Sequence, residues 1–177
     1  MSTARYQLNK NKYLLDPEAE KLEHILLDFY QDDPRNCLLL SLLLRTGARV
    51  SEVLNLRKQD LNPFEHTVFI RGLKGSNDRE LPLHEDFFKQ LYTYASAQPE
   101  EQFFNISYNR LRQIWDLYRP AHKKLHCLRH TFAIRLYKKS KDLRLVQFAL
   151  GHRNITNTMI YADYVYTQDE LKKAILT

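Results

Sequence analysis

One stretch of this sequence is apolar on nearly every side of a helix. Between Asn36 and Leu44, seven of the nine residues are Leu or Cys. A helix of this kind needs neighbours all round, so the segment predicts a central, buried helix with the other elements packed around it. Gly47 is suited to end this helix. Arg49 is thereby expected at the end of a rigid core element.

The remaining pattern is mainly helical, with one β-hairpin. Asp16 and Pro17 suit a helix start, and strand-forming residues at 67–70 and 79–83 flank turn residues at 72–78. Further helices are expected over residues 84–96, 107–119, 125–139, 142–150 and 167–176. We therefore expect an α+β fold, mainly α with a small antiparallel β-hairpin or sheet.

The chain length of 177 residues fits one domain with a sizeable core. Residues 1–15 are expected to be a basic polar tail or linker, and residues 16–177 the domain itself. No apolar stretch reaches the ~20 residues of a membrane span. Cys37 and Cys127 lack the spacing of a disulfide framework or a zinc site. These features predict a cytoplasmic protein without membrane contact.

The positive charge of the chain is unevenly distributed. Lys and Arg outnumber Asp and Glu by 27 to 21, and residues 105–153 hold 12 of these cations against only Asp116 and Asp142. Such a surface favours a polyanion such as DNA, although a solvated helical surface is the other interpretation. The candidate DNA contacts are Arg71, Arg79, Arg110, Arg112, Lys123 and Lys124.

Several residues with the chemistry of phosphate transfer follow one another near the end of the chain. His126, Arg129, His152 and Tyr161 fall within 36 residues, and Arg49 stands far upstream. Cleavage of a phosphodiester without metal requires a nucleophile, cations on the non-bridging oxygens and a proton source. Together these residues supply all three.

Taken singly, each of these residues has an ordinary structural role. Arg129 lies beside an apolar stripe and could form a buried ion pair, and Arg49 could be an exposed charge at a helix end. His126 and His152 stand where helix-terminal residues are common. Only the combination indicates a catalytic site.

The motifs Thr46 to Glu52, His126 to His130 and Leu150 to His152, followed by Tyr161, resemble those of the tyrosine recombinase (phage integrase) family. The resemblance covers the chain from about residue 15 to its end and rests on separated motifs in the family's order. It implies the family's catalytic-domain fold. It also implies DNA strand exchange in which Tyr161 attacks the phosphate and forms a 3′-phosphotyrosyl link.

The resemblance implies a role for each basic residue. Arg49 and Arg129 are expected to hold the phosphodiester, with Glu52 supporting Arg49. His152 belongs to the same catalytic set. Lys74, at the tip of the predicted hairpin, is expected to protonate the leaving 5′ oxygen.

As the expected nucleophile, Tyr161 requires a neighbouring group that assists the loss of its hydroxyl proton. An unperturbed Tyr hydroxyl has a pKa of ~10 and reacts poorly at neutral pH, so His126 is our hypothesis for the residue that assists Tyr161. His130 is expected to have a packing role. Tyr164 and Tyr166 are rivals to Tyr161 on chemical grounds, and only the family spacing selects Tyr161.

The leading functional hypothesis is a site-specific recombinase of the integration, excision or inversion type, acting on double-stranded DNA. We expect a monomer in free solution, a homo-tetramer on paired sites, docking through residues 167–177, and accessory DNA-bending proteins. No Walker-type loop or two-metal carboxylate cluster is evident, so no metal, ATP or other cofactor is expected.

Few residues precede Asp16, which predicts either a compact member without an amino-terminal clamp domain or a catalytic fragment. The alternative functions are a type IB topoisomerase and a non-catalytic DNA-binding regulator.

Overall fold

The computed structural model describes residues 8–162 together with Lys172, Ile175 and Leu176. Over residues 8–162 the chain forms eight α-helices, one 3₁₀ turn and three short strands. In chain order these are α1 Asp16–Asp28, α2 Pro34–Thr46, α3 Val50–Leu54, the 3₁₀ turn Lys58–Asp60, β1 Leu61–Asn62, β2 Thr67–Ile70, β3 Arg79–Pro82, α4 Glu85–Ala97, α5 Tyr108–Tyr118, α6 Cys127–Ser140, α7 Leu143–Leu150 and α8 Thr156–Met159.

Helix α2 is the centre of the core. Its leucines are almost completely buried, and α1, α3, α4 and α6 all pack against it. Gly47 ends the helix with a left-handed backbone (φ 60°), and its amide donates to the Leu43 carbonyl. The central helix and its glycine stop are therefore confirmed. Arg49 follows directly as the residue before α3.

The three strands form an antiparallel sheet in the order β1, β2, β3. Thr67 pairs with Pro82 and Ile70 with Arg79, so the sequence hairpin is confirmed. The short strand β1, which sequence analysis missed, adds to the outer side of β2. Val68 and Ile70 face the core. The expected fold class, mainly α with a small antiparallel sheet, is confirmed.

A smaller apolar cluster lies between α6 and α7. It contains Tyr161 together with Tyr13, Ala133, Ile134, Val146 and Leu150. The predicted nucleophile is therefore part of a packed layer at the side of the main core.

The domain begins earlier than expected. Tyr13 and Leu14 are each only 2% exposed, and the Leu14 amide donates to the Thr131 hydroxyl at 2.8 Å. The expected tail boundary at residue 15 is therefore too late, because the two apolar residues after Lys12 pack into the fold.

At the other end, the expected helix over residues 167–176 lies largely outside the described residues. Of the helices that the structure describes, none combines the length and the apolar composition that a membrane span needs.

Gly47 offers a test of how α2 is joined to the rest of the fold. A Cβ at this position would overlap the Phe132 ring and lie 2.9 Å from Leu150 Cδ2. Gly75 is a matched control, because it also has a positive φ but a Cβ there would meet nothing within 4 Å. Both alanine variants carry the cost of the left-handed backbone, whereas only Gly47→Ala also overpacks the interior. We expect Gly47→Ala to lower the free energy of unfolding by about 1–3 kcal/mol more than Gly75→Ala.

Urea denaturation of both variants and the wild type measures this difference. Equal losses would mean that Phe132 moves aside without cost, and that the packing of α2 against α6 is looser than the structure indicates.

Candidate active site

The predicted catalytic residues meet where three helix ends converge. Arg129, near the start of α6, is buried, and its Nη1 and Nη2 atoms donate to the Gly47 carbonyl at 2.5 Å and the Leu150 carbonyl at 2.9 Å. Gly47 and Leu150 lie at the carboxyl ends of α2 and α7. A cation is favoured at such ends because the last carbonyls of a helix carry partial negative charge. Arg129 thus joins three elements of the site.

Arg129 keeps its charge in this setting. Burial and the neighbouring charge of Arg49 lower its pKa to about 10, so the guanidinium is protonated at neutral pH. Its two hydrogen bonds to carbonyl oxygens leave other N–H donors of the guanidinium available. It can therefore hold the site together and still contact a phosphate.

Arg49 has charge that the described protein only partly compensates. Its backbone amide donates to Glu52 Oε2 at 2.8 Å, and its Nη1 lies 3.6 Å from Glu52 Oε1. That Nη1 atom is buried and has no hydrogen-bond acceptor among the residues that the structure describes. A buried donor without a partner is costly in a folded protein. An anion bound beside Arg49 would remove that cost.

Glu52 is held by a second arginine. Arg79 Nη2 lies 2.8 Å from Glu52 Oε2, both side chains are completely buried, and Arg79 Nε donates to the Ala149 carbonyl at 2.8 Å. Burial opposes ionisation of Glu52, but the hydrogen bond and charge of Arg79 outweigh it, so the pKa of Glu52 is below its ordinary value. Glu52 therefore connects Arg49 to the sheet and α7.

This placement corrects the expectation that Arg79 contacts DNA. The side chain is 2% exposed, and its guanidinium is engaged by Glu52 and the Ala149 carbonyl inside the fold. Its partner is a carboxylate 27 residues earlier in the chain, a contact that no local pattern indicates.

The β2–β3 connection brings Lys74 to the same cleft as Arg49. The β2–β3 connection is fixed to the end of α7, where the Ser76 hydroxyl and the Asn77 amide donate to the Gly151 carbonyl at 3.0 and 2.8 Å. Lys74 itself is exposed, with a φ of 51°. The cleft has a volume of about 530 Å³, and its lining includes Arg49, Lys74, Tyr108 and His126.

His152 is positioned by the end of α7. Gly151 before it has a left-handed backbone (φ 68°), and a Cβ there would lie 2.7 Å from the Asn77 carbonyl oxygen. His152 Nδ1 lies 2.9 Å from the Thr158 hydroxyl. Burial, then the charges of Arg129, Arg49 and Arg79, lower the pKa of His152 to about 4. His152 is therefore a neutral hydrogen-bonding group at neutral pH.

Tyr161 is buried, and its hydroxyl contacts a histidine that sequence analysis did not select. The hydroxyl oxygen lies 2.9 Å from Nδ1 of His130, and Tyr161 is 2% exposed. His126 lies one helical turn away, with its ring edge-on to that of His130 at 4.8 Å. The packing role expected for His130 therefore needs correction. Its i, i+4 spacing from His126, which puts both on one helix face, was the available signal.

His126 reaches the surface at the start of α6. The protein packed around its ring, Arg129 and Arg49 lower its pKa below the ordinary value. It lines the cleft of Arg49 and Lys74, where it can meet the same ligand. The rival residues Tyr164 and Tyr166 lie outside the described residues.

Two further candidates for DNA contact are engaged in ion pairs. Arg71 forms a bidentate pair with Asp60, with both N–O distances near 2.5 Å, and Lys123 pairs with Glu18 while its side chain is only 9% exposed. Acidic partners from other elements thus neutralise both cations. This departs from the expectation of DNA contacts at Arg71 and Lys123.

The other three candidates remain at the surface. Arg110, Arg112 and Lys124 are all exposed. Arg112 and Lys124 line a cleft of about 350 Å³ that also includes His126. This part of the expected DNA surface adjoins the catalytic residues.

Comparison with known proteins identifies the family. Residues 12–168 match the model of the Phage integrase family. The chain belongs to this family. Its fold is that of tyrosine recombinase catalytic domains: it superimposes on the catalytic domain of bacteriophage HP1 integrase with a TM-score of 0.66 at 23% identity, covering 92% of this chain and 94% of that one.

Relatives of the phage integrase family give the same assignment. The tyrosine recombinase XerA of Pyrococcus horikoshii is 30% identical over 93% of this chain and 60% of its own length. A tyrosine recombinase of Pseudothermotoga lettingae is 34% identical over 86% of this chain and 56% of its own length. The crystal structure of XerH recombinase in a pre-cleavage complex with its difH substrate matches with a TM-score of 0.72 at 25% identity, over 99% of this chain and 57% of that one. The chain spans about 60% of the length of these recombinases or less.

The buried Glu52–Arg79 pair predicts a specific loss of stability in acid. Glu52 has a folded-state pKa below the unfolded value of ~4.3, so its contribution is present above that pH and is lost as the pH falls through the folded pKa. Glu52→Gln leaves Arg79 buried without a counter-charge. At neutral pH we expect this variant to be about 3–5 kcal/mol less stable than wild type.

Urea denaturation at a series of pH values measures the difference, which should shrink below pH ~4 as wild-type Glu52 becomes protonated. Glu65→Gln, at an exposed turn position, is the control and should show neither effect. A difference for Glu52→Gln that stays constant down to pH 2 would contradict the assignment.

Proposed function

We propose that this chain is the catalytic part of a site-specific DNA recombinase that cleaves and rejoins strands through a 3′-phosphotyrosyl link to Tyr161. The observation that carries the proposal is a surplus of buried positive charge beside a tyrosine. Arg49 and Arg79 both pair with the carboxylate of Glu52, and the charges of both act on Arg129. Arg49 Nη1 is buried without a hydrogen-bond acceptor in the described part of the chain.

A phosphodiester supplies the missing negative charge. Guanidinium groups match the geometry of phosphate oxygens and bind them in pairs. In the pentacoordinate transition state the phosphate oxygens gain further negative charge, so preorganised cations stabilise it more than the ground state. Arg49 and Arg129 are the residues proposed for this task, with neutral His152 and surface His126 as additional hydrogen-bonding groups.

Attack by Tyr161 joins its oxygen to phosphorus and breaks the bond to the 5′ oxygen. Lys74, in the same cleft as Arg49, is proposed to protonate that leaving oxygen. Because the phosphotyrosyl link retains the energy of the broken bond, a 5′ hydroxyl from another strand can attack it and join the strands. The reaction thus needs neither ATP nor a metal ion.

The partner in this proposal is double-stranded DNA. The related XerH recombinase was solved bound to its difH substrate. Here the exposed Arg112 and Lys124 line a cleft that shares His126 with the cleft of Arg49 and Lys74, and Arg110 is also exposed. We propose that four copies assemble on paired sites, that the free protein is monomeric, and that DNA-bending proteins assist. Integration, excision and inversion all use this chemistry. The proposed place of action is DNA in the cytoplasm, at the nucleoid if bacterial.

Covalent trapping tests the proposal directly. In a nicked suicide duplex made from DNA flanking the source gene, the short product strand diffuses away after cleavage and leaves Tyr161 attached to the 3′ phosphate. We expect a covalent adduct on a denaturing gel with wild type in EDTA, and none with Tyr161→Phe, which lacks the attacking oxygen.

Binding without an adduct would favour a non-catalytic DNA-binding regulator. Relaxation of plasmids without exchange between sites would favour a type IB topoisomerase. Adduct formation that fails in EDTA and returns with Mg²⁺ would overturn the metal-free reaction.

The proposed role of Lys74 predicts a dependence on the leaving group. Lys74→Ala should slow cleavage of an ordinary substrate by about 10²–10⁴-fold, because the 5′ oxygen then leaves without a proton. Replacing that oxygen by sulfur should largely restore the rate, since a thiolate leaves without protonation.

Single-turnover cleavage measures both rates. Lys21→Ala, at an exposed position on α1, is the matched control and should react like wild type. Equal defects of Lys74→Ala on the oxygen and sulfur substrates would assign Lys74 to phosphate binding and not to proton transfer.

A further inference from the structure

The hydroxyl of Tyr161 contacts a histidine that is not among the catalytic residues expected from the sequence motifs. Nδ1 of His130 lies 2.9 Å from the hydroxyl oxygen, and the two side chains are 8% and 2% exposed. The ring centroids lie 5.8 Å apart with planes inclined at 54°. The hydroxyl therefore meets the edge of the imidazole, where the nitrogen lone pair or N–H lies.

His126, immediately before α6, and His130, within α6, have different neighbours. His126 lines the cleft of Arg49 and Lys74, where the phosphate would lie. His130, one turn further into the helix, is next to the nucleophile and in edge-on contact with the His126 ring. We infer that His130 is a further catalytic residue, which accepts the proton of Tyr161 during attack. This inference rests on the proposed function and replaces His126 in the assisting role.

Charged and titratable groups surround His130. Arg129 belongs to the same helix and His126 immediately precedes it, Lys12 comes from the segment before α1, and His152 follows α7. Burial, together with these groups, lowers the pKa of His130 to about 3. His130 is therefore neutral at physiological pH, and with its proton on Nε2 it presents the Nδ1 lone pair to the hydroxyl.

Burial and the same cations make His130 a weak base in the absence of DNA. A Tyr hydroxyl with an ordinary pKa of ~10 would not transfer its proton to such a group. A bound phosphodiester places negative charge beside Arg49 and Arg129, which offsets the cationic field and raises the proton affinity of His130. The base thus becomes effective when the substrate is in place.

Each proton transferred in this step has a donor and an acceptor. The proton moves from the Tyr161 oxygen to His130 Nδ1 as the oxygen–phosphorus bond forms and the bond to the 5′ oxygen breaks. The leaving 5′ oxygen takes a separate proton, from Lys74 in the proposed function. During rejoining, His130 returns its proton to Tyr161.

A neighbouring cavity makes this role testable by chemical rescue. The cavity has a volume of about 490 Å³, and its lining includes His126, His130, Lys12 and Lys124. Replacing His130 by Ala would extend the cavity to the Tyr161 hydroxyl. A small imidazole molecule could then occupy the vacated space and accept the proton.

We therefore expect His130→Ala to lower the single-turnover cleavage rate by about 10²-fold or more, with the rate recovering when imidazole is added. Among imidazoles of similar size, the rescued rate should depend on the pKa of the added base, which a purely structural defect would not produce. His130→Asn can place an amide atom near the position of Nδ1 but cannot accept the proton, so it should remain slow. Circular dichroism and DNA binding check that both variants fold.

Other outcomes would overturn the inference. A wild-type rate in His130→Asn would show that His130 only positions Tyr161. A rate at or above wild type in His130→Ala would show that the contact restrains the nucleophile. A sulfur leaving group should not restore the cleavage rate of His130→Ala, because sulfur removes only the need to protonate the leaving 5′ atom. Removal of the Tyr161 proton would still be impaired. Failure of the proposed function would be distinct, since wild type itself would then form no adduct.

Discussion

The site depends on one buried guanidinium placed between two helix ends. Arg129 donates to the last carbonyls of α2 and α7 from its position in α6, so the elements that bear the other catalytic candidates are fixed relative to it. The interaction is favourable because helix carboxyl ends carry partial negative charge and leave carbonyls without intrahelical partners. The guanidinium proposed to bind phosphate is thereby part of the packing, and its position is set by the fold itself.

Charge balance explains how Glu52 and the arginines around it are arranged. Glu52 is the carboxylate that pairs with both Arg49 and Arg79, and its pKa is lowered so that it stays ionised. One carboxylate does not neutralise the three arginines around it. Burial, together with the remaining positive charge, lowers the pKa values of His152 and His130. That charge also suits the site to an anion such as the proposed phosphodiester. Binding of the anion would change both properties together.

The proposed nucleophile, Tyr161, is buried in the fold and not exposed at its surface. Tyr161 packs among apolar residues of α6 and α7, with its hydroxyl against His130. This arrangement keeps the tyrosine away from water, while burial and the neighbouring positive charge keep His130 neutral by lowering its pKa. In the proposed mechanism, substrate binding offsets that charge and so couples activation of Tyr161 to the presence of DNA.

Local patterns in the sequence determined the central helix α2, its stop at Gly47, the β2–β3 hairpin and the order of the catalytic motifs, because periodicity, turn residues and spacing act over a few residues. The tertiary structure decided which partners the polar side chains have. Arg79 pairs with a buried carboxylate 27 residues earlier in the chain, and Lys123 pairs with Glu18, 105 residues earlier. His130 contacts Tyr161, 31 residues later. The sequence motifs therefore identified the candidate reactive residues. The burial, charge balance and contacts of these residues depend on packing between distant segments, which no local pattern encodes.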